Sequence, residues 1–280
     1  MLIRLGYDIE FNIPQPVAVV TLLSVHPSRE VDLREPDQLH IEPTAGTQQY
    51  FDHFGNRCTR FLASAGKLRL WSSTLIEDSA KHDPVNYAAH QHPVNELPSD
   101  VLTFLMSSRY CEVDRMSNIA TELFGNFVPG WVRVQAIVNW VHGRVKFGYQ
   151  FARATRTALE VYTERVGVCR DFQHLAITFC RCMNIPARYA TGYLGDIGVP
   201  ASPAPMDFSA WFEVYLDGRW WTFDARHNEP RMGRVLMATG RDAADVAMTT
   251  SFGTAELVRF SVVTNEIRNN APFAASFSTQ

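Results

Sequence analysis

The stretch of sequence that decides the fold is Glu164-Arg165-Val166-Gly167-Val168-Cys169-Arg170-Asp171-Phe172. It places a cysteine directly after a glycine turn, where an apolar pattern with helical spacing begins. The sequence therefore predicts a helix that begins at Cys169 and ends near Asn184, before Ile185-Pro186. Because the dipole of a helix favours a thiolate at its N-terminus, Cys169 is a candidate nucleophile.

Two strands after this helix supply the other candidate site residues. The aromatic run 210–216 and the run 219–224 are joined by the tight turn Asp217-Gly218, which predicts a hairpin. A cysteine on a helix, a partner at the head of one strand and an aspartate at the end of the next form the layout of a thiol enzyme. Asp224 occupies the last of these positions. The partner position holds Ser209, where this layout requires a histidine.

Composition narrows the class of protein. The chain has 280 residues, 46% hydrophobic and 20% charged, which is enough for about two domains with a sizeable core. A formal net charge of -3 gives no electrostatic case for binding nucleic acid or an anionic membrane. The five cysteines lack metal-ligand spacing and indicate reduced thiols. With no secretory signal and no apolar run of membrane-spanning length, we expect a cytoplasmic protein; its oligomeric state stays open.

The domain organisation follows from changes of pattern along the chain. Residues 1–95 carry alternating strand-like runs and predict an N-terminal β-domain. Residues 96–265 combine helical patterns with later strands, and residues 266–280 form a polar tail. No residue cluster requires a metal or another cofactor. Three histidines in the proline-rich stretch near the first boundary lack metal-ligand spacing and are interpreted as surface residues: His82, His90 and His92.

Four motifs in register carry a resemblance to a known family. They are Gly167-Val168-Cys169-Arg170-Asp171-Phe172, Asn184-Ile185-Pro186-Ala187-Arg188-Tyr189, Asp207-Phe208-Ser209-Ala210-Trp211-Phe212-Glu213-Val214 and Trp220-Trp221-Thr222-Phe223-Asp224. In these motifs the chain resembles the transglutaminase-like superfamily, especially its bacterial cysteine protease branch. The resemblance implies an α+β fold with a papain-like core, in which the helix bearing the cysteine packs on an antiparallel sheet. It also implies a preceding β-sandwich-like domain.

The same resemblance implies a chemistry. Cys169 would attack an amide or ester carbonyl of a peptide or protein substrate, and its backbone N–H would help to hold the oxyanion. A histidine at the strand head would accept the thiol proton, and Asp224 would orient that histidine. Asp207 and Trp211, on either side of position 209, are candidate substrate-binding residues. Hydrolysis and transamidation share the thioester, so the sequence does not separate them.

Ser209 departs from the family pattern and leaves three alternatives, since loss of the base costs on the order of 10³-fold in rate. In the first, another histidine substitutes, and His227 is the best candidate, although a residue three along a strand faces away from Asp224. In the second, Cys169 works without a histidine, aided by the helix dipole and Arg170, while Asp207 or Asp224 with water handles protons. In the third, the protein is a non-catalytic relative that binds a peptide or a partner protein. Two other histidines are poorer candidates for the base: His142 and His174.

Overall fold

The computed structural model of the chain describes residues 1–203 and 205–267. Its strands are β1 (Leu2–Ile13), β2 (Val17–Thr21), β3 (His40–Glu42), β4 (Thr47–Phe51), β5 (Arg57–Ala63), β6 (Gly66–Glu77), β7 (Lys146–Phe147), β8 (Val166–Gly167), β9 (Ala187–Tyr193), β10 (Ser209–Leu216), β11 (Arg219–Phe223), β12 (Val235–Gly240), β13 (Thr249–Ser251) and β14 (Glu256–Ile267). Its α-helices are α1 (Val113–Phe124), α2 (Trp131–Arg144), α3 (Ala158–Glu164) and α4 (Cys169–Cys182). The predicted α+β fold class is confirmed.

The N-terminal strands form two four-stranded antiparallel sheets. Their strand orders are β14-β1-β6-β3 and β13-β2-β5-β4. The two sheets share one buried apolar cluster, which contains Leu5 and Ile9 from β1, Val19 from β2 and Phe61 from β5. Alternation of apolar and polar residues therefore predicted β1, β2, β3, β5 and β6, because one face of each sheet is buried, whereas β4 and β13 were not predicted.

The C-terminal part of the chain returns to these N-terminal sheets. Strand β14 pairs antiparallel with β1 along almost its whole length, and β13 pairs with β2. The last of the strands expected within 96–265 is thus paired with the first strand of the chain. The division into 1–95 and 96–265 stays a prediction. Of the predicted tail 266–280, residues 266 and 267 end β14, and residues 268–280 lie outside the described residues.

The core that carries the candidate site is a third four-stranded antiparallel sheet, covered by helices. Its strand order is β11-β10-β9-β12, and α4 packs against β9 and β10 while α1, α2 and α3 surround α4. Buried apolar residues join the layers, among them Leu175 and Phe179 of α4 and Phe212 and Val214 of β10. Burial of such side chains contributes about 1.5–3 kcal/mol each to folding, which fixes the helix on the sheet.

A buried acid fixes the start of α4, and with it Cys169. Asp171 is fully buried, accepts the backbone N–H of Val168 at 2.9 Å and lies 3.2 Å from an Arg156 guanidinium nitrogen. A Cβ on Gly167 would stand 2.6 Å from the Cβ of Asp171, so this position requires glycine. Gly167 ends β8 rather than forming the predicted turn, and it acts together with the buried acid to place the cysteine at the helix N-terminus.

Candidate active site

The candidate nucleophile, Cys169, is the first residue of α4, and its side chain is half-buried. Its side chain lines a cavity of about 330 Å³, here called the thiol cleft, together with Tyr149, Asp207, Ser209 and His227 among others. Burial raises the pKa of the Cys169 thiol to about 11, and the nearby negative charge of Asp207 acts in the same direction. The resting thiol is therefore protonated at neutral pH.

Asp224 directly follows the last residue of β11 and is buried. Its Oδ1 accepts hydrogen bonds from the backbone N–H groups of Arg226 (3.0 Å) and His227 (3.1 Å) and from Nε2 of Gln173 (3.1 Å). Its Oδ2 accepts from His227 Nδ1 (2.9 Å) and from Arg234 Nη2 (3.1 Å). Both oxygens are thus held by several donors, which fixes the carboxylate as a rigid orienting group.

The groups that surround Asp224 keep its carboxyl group ionised. Burial alone would raise the pKa of this carboxyl, but the hydrogen bond from His227 and the positive charge of Arg234 outweigh burial. Together they hold the pKa of Asp224 well below its usual range. Asp224 is therefore a carboxylate at any pH at which the protein is expected to work.

His227 is placed beside Asp224 by a turn. Strand β11 ends at Phe223, so the chain is free to turn immediately after Asp224, and the imidazole Nδ1 comes within 2.9 Å of Asp224 Oδ2. Because a carboxylate only accepts hydrogen bonds, Nδ1 carries the proton and Nε2 is left as the proton acceptor. The ring is 21% exposed and lines the thiol cleft with Cys169. This histidine is therefore available as a base.

Gln173 is a supporting residue that the sequence analysis missed. It lies one helical turn after Cys169, is fully buried and donates from Nε2 to Asp224 Oδ1 and to the Ala210 carbonyl oxygen, both at 3.1 Å. Its Oε1 accepts the backbone N–H of Ala225 at 3.1 Å. Gln173 thus ties the cysteine helix to both strand ends of the site. A polar residue on the buried face of the predicted helix was the signal that could have identified it.

Arg234 and Asp83 form a second support that sequence reasoning did not find. Arg234 donates from Nη2 to Asp224 Oδ2 (3.1 Å) and from Nε to Asp83 Oδ2 (2.8 Å). The same Asp83 oxygen accepts the backbone N–H of Arg231 at 2.9 Å. Asp83 lies in the proline-rich stretch between the predicted domains and so braces the site from a distant part of the chain. No local sequence pattern predicts a contact between two residues as far apart in the chain as Asp83 and Arg234.

The remaining predicted residues fall in two places. Ser209 begins β10 as expected, is 7% exposed and lines the thiol cleft with Asp207. Trp211 is buried and does not line this cleft; it lies under Arg234, whose guanidinium carbon is 5.2 Å from the ring centre, and lines a neighbouring cavity. The structure therefore brings the predicted cysteine, serine, histidine and two aspartates together and leaves the tryptophan outside.

The other two histidines have structural positions. His174 is fully buried, its Nε2 accepts the backbone N–H of Ala243 at 3.1 Å, and burial lowers its pKa well below the usual range. His142, on α2, lies 2.8 Å through Nδ1 from the carbonyl oxygen of Arg226. Neither lines the thiol cleft among the described residues. His142 thus helps to hold the turn that carries His227.

Comparisons with known proteins concern the fold that carries this site. Residues 118–225 match the family model of the transglutaminase-like superfamily. The crystal structure of a "putative cysteine protease" from Cytophaga hutchinsonii is 29% identical with a TM-score of 0.82, over 99% of this chain and 94% of that one. The uncharacterized protein ML0607 of Mycobacterium leprae (strain TN) is 25% identical over 212 residues, which are 73% of this chain and 75% of the relative.

Residues 118–225 of this chain therefore match the core of the transglutaminase-like superfamily, and the resemblance that the motifs predicted is confirmed. Two further observations concern metal binding and membrane-spanning helices. In residues 1–203 and 205–267, no group of three or more His, Cys, Asp or Glu side chains is arranged to hold a metal ion. Within the same residues, no helix is both long and apolar enough to cross a membrane.

Proposed function

We propose that this protein is a thiol-dependent enzyme that acts on amide bonds of peptides or proteins through a thioester on Cys169. The family match and the likeness to a protein named as a cysteine protease support a general protease or transglutaminase-like function. One observation carries the finer proposal: the Asp224–His227 pair, joined at 2.9 Å, faces the same cleft as the Cys169 thiol. This pair supplies the base that position 209 lacks.

In the proposed reaction, His227 Nε2 removes the Sγ proton as the thiolate attacks the substrate carbonyl carbon. Asp224 stabilises the resulting imidazolium and keeps the Nδ1 proton in place. The oxyanion forms at the N-terminus of α4, where the backbone N–H of Cys169 is a candidate donor. The imidazolium then gives its proton to the departing amine, which leaves a thioester. Water or a primary amine resolves the thioester and restores the thiol.

The raised pKa of the Cys169 thiol determines at which step the Sγ proton is transferred to His227. A thiol that is protonated at rest needs a general base during attack, as a serine does, rather than a preformed thiolate–imidazolium pair. Among the described residues the thiol makes no hydrogen bond to His227. Catalytic hydrogen bonds often tighten only when substrate is bound, so proton transfer is assigned to the substrate complex.

The thiol cleft suits a polar, extended substrate better than a hydrophobic small molecule. Asp207 is a candidate contact for substrate groups, and burial raises its pKa. The loop 195–208, apart from residue 204, provides part of the wall on the same side as Ser209. The five cysteines are free thiols, which supports the further proposal of a cytoplasmic, reducing location.

A second candidate function is a peptide- or protein-binding module without turnover. The observations that favour it are the serine at position 209 and the raised pKa of the Cys169 thiol. In that case Asp224 and His227 would be structural, and the cleft would bind a peptide without forming a covalent bond.

An acyl-transfer assay separates the two candidates. The protein is mixed with p-nitrophenyl acetate, release of nitrophenol is followed, and peptide mass spectrometry locates the acetyl group. The enzyme proposal expects a burst with acetyl on Cys169, followed by turnover, and no burst for Cys169→Ala. Addition of a primary amine then shows whether amine or water resolves the thioester. A wild-type rate equal to that of Cys169→Ala would favour the binding module.

A further inference from the structure

A second cavity, of about 370 Å³, lies next to the thiol cleft and shares the Arg231 side chain with it. We call it the arginine cavity, because its basic lining residues are Arg29, Lys81, Arg188, Arg231 and Arg234. Its acidic lining residues are Asp78, Asp83 and Glu213. Five basic side chains face three acidic ones in this lining, and Arg29 and Arg234 also pair with Asp32 and Asp224, which lie outside it.

The three acids are already compensated by neighbouring arginines. Asp78 accepts from Arg29 (3.2 Å), Asp83 from Arg234 (2.8 Å) and Glu213 from Arg188 (2.6 Å). Among the described residues, Lys81 and Arg231 are therefore the basic side chains of this lining that lack a close ion pair. Lys81 is exposed, and the Glu229 carboxylate that pairs with Arg231 is 4.0 Å away and 53% exposed, while Asp224 and Asp196 act on Arg231 from farther away.

Two arginines of the cavity have buried donors without acceptors. Arg234 Nη1 and Arg231 Nε have no hydrogen-bond partner among the described residues, although their side chains are only 7% and 5% exposed. Buried N–H groups are almost always satisfied, and a charged one left unpaired costs free energy. These two N–H donors, Arg231 Nε and Arg234 Nη1, therefore require an acceptor that the described residues do not supply.

We propose that the arginine cavity binds a small dianionic oxyanion, namely phosphate or the phosphate group of a small ester. Such a group presents several acceptor oxygens, and arginine forks bind phosphate with good geometry. Lys81 lies at the exposed side of the cavity and supplies a further, mobile ammonium group.

Binding at this cavity is coupled to the thiol cleft through Arg234. The same guanidinium that lines the cavity donates to Asp224, which in turn holds His227. A bound anion partly neutralises Arg234, so it changes the field that acts on the Asp224–His227 pair. The site thus provides a route by which an anion tunes the base, and its existence does not depend on Cys169 being a nucleophile.

Phosphate binding is tested by thermal melts of Cys169→Ala in sodium phosphate and in sodium chloride at equal pH and ionic strength. Phosphate is expected to raise the melting temperature saturably. Lys81→Gln is expected to weaken phosphate binding about threefold or more, whereas Lys146→Gln, an exposed lysine outside the cavity, leaves it unchanged. Ser79→Asp, which adds a negative charge to the lining, should abolish it. Equal melts in both salts, or equal effects of the two lysine variants, would overturn the proposal.

Two further measurements define the ligand and the coupling. Phenyl phosphate that binds more tightly than inorganic phosphate identifies an ester as the ligand, and equal binding identifies phosphate itself. The NMR resonance of the His227 ring should move on phosphate addition, while that of the exposed His53 stays fixed. Phosphate binding without movement of the His227 resonance would overturn the coupling.

Discussion

His227 follows Asp224 by only three residues, yet its Nδ1 lies 2.9 Å from Asp224 Oδ2. The contact exists because β11 ends at Phe223 and the chain turns back at once, with the backbone N–H of His227 also bonded to Asp224 Oδ1 at 3.1 Å. In the usual family layout the base stands at the head of one strand and the acid at the end of the next. Here both members of the pair come from one turn.

Replacement of the buried carboxylate should have a pH-dependent cost in stability. The depressed pKa of Asp224 means that its contribution is present above the unfolded-state pKa of about 3.9 and is lost as pH falls below it. We expect Asp224→Asn to lower the free energy of unfolding by about 2–4 kcal/mol at neutral pH, because Arg234 loses its ionised partner in the core.

Urea unfolding at pH 7 and near pH 3 checks this prediction. The gap between wild type and Asp224→Asn should narrow at the lower pH, because the Asp224 carboxyl of the unfolded chain takes up a proton there while that of the folded protein stays ionised. The exposed Asp100→Asn serves as the control and should change little at either pH. A gap of the same size at both pH values would show that the charge of Asp224 is not what stabilises the fold.

Alkylation of Cys169 should report a protonated resting thiol. Burial, together with the charge of Asp207, raises the pKa of this thiol to about 11, so the rate with iodoacetamide should rise only above the free-thiol value of ~8.5. Asp207→Asn removes one negative charge and should move the inflection to lower pH. Peptide mass spectrometry of the native protein measures both. An inflection below that of a free thiol would mean that a thiolate exists before substrate binds.

Position 209 offers a test of the vacant base site. His227→Ala should lose most acyl-transfer activity, and adding Ser209→His to it should restore part of that activity, because residue 209 begins β10 and lines the thiol cleft. Asp224, freed from His227, can then orient the new imidazole. Steady-state ester hydrolysis by the single and double variants gives the comparison. A folded double variant no more active than His227→Ala would refute the equivalence of the two positions.

The two cysteines of α4 should differ in their contribution to stability. Cys180 is fully buried in the apolar cluster, whereas Cys169 is half-buried at the cleft. Cys180→Ala leaves a small void and should cost about 1–2 kcal/mol, while Cys169→Ala should cost less than about 0.5 kcal/mol. Urea denaturation of the two variants decides the matter, and equal losses would mean that the thiol of Cys169 is packed like a core residue.

The sequence predicted the elements that depend on local pattern. Gly167 and the apolar spacing that follows it located the start of α4 at Cys169, and the tight turn at 217–218 joined β10 to β11. Motif spacing placed Ser209 at a strand head and Asp224 at a strand end. Each of these features is encoded within a few residues, so no tertiary contact was needed to recognise it.

The features that escaped prediction depend on long-range contacts or on where an element stops. Strand periodicity extended past residue 223 would turn His227 away from Asp224, and the sequence left open whether a turn after Asp224 brings it back; the strand in fact ends at Phe223. The roles of Gln173 and Arg234 depend on tertiary contacts, because α4 and a later loop each supply a donor to the Asp224 carboxylate. The pairing of β14 with β1 joins the two ends of the described chain, and no local periodicity specifies such a partner.

The rate at which Cys169 is acylated in His227→Ala tests the central claim most directly. Rapid-mixing measurement of acetyl transfer from p-nitrophenyl acetate at neutral pH compares this variant with wild type and with the surface control His53→Ala. If His227 is the base, its loss should slow acylation by about 10²–10⁴-fold, and the control should match wild type. Acylation of Cys169 at the same rate in all three proteins would contradict the assignment of His227 as the base.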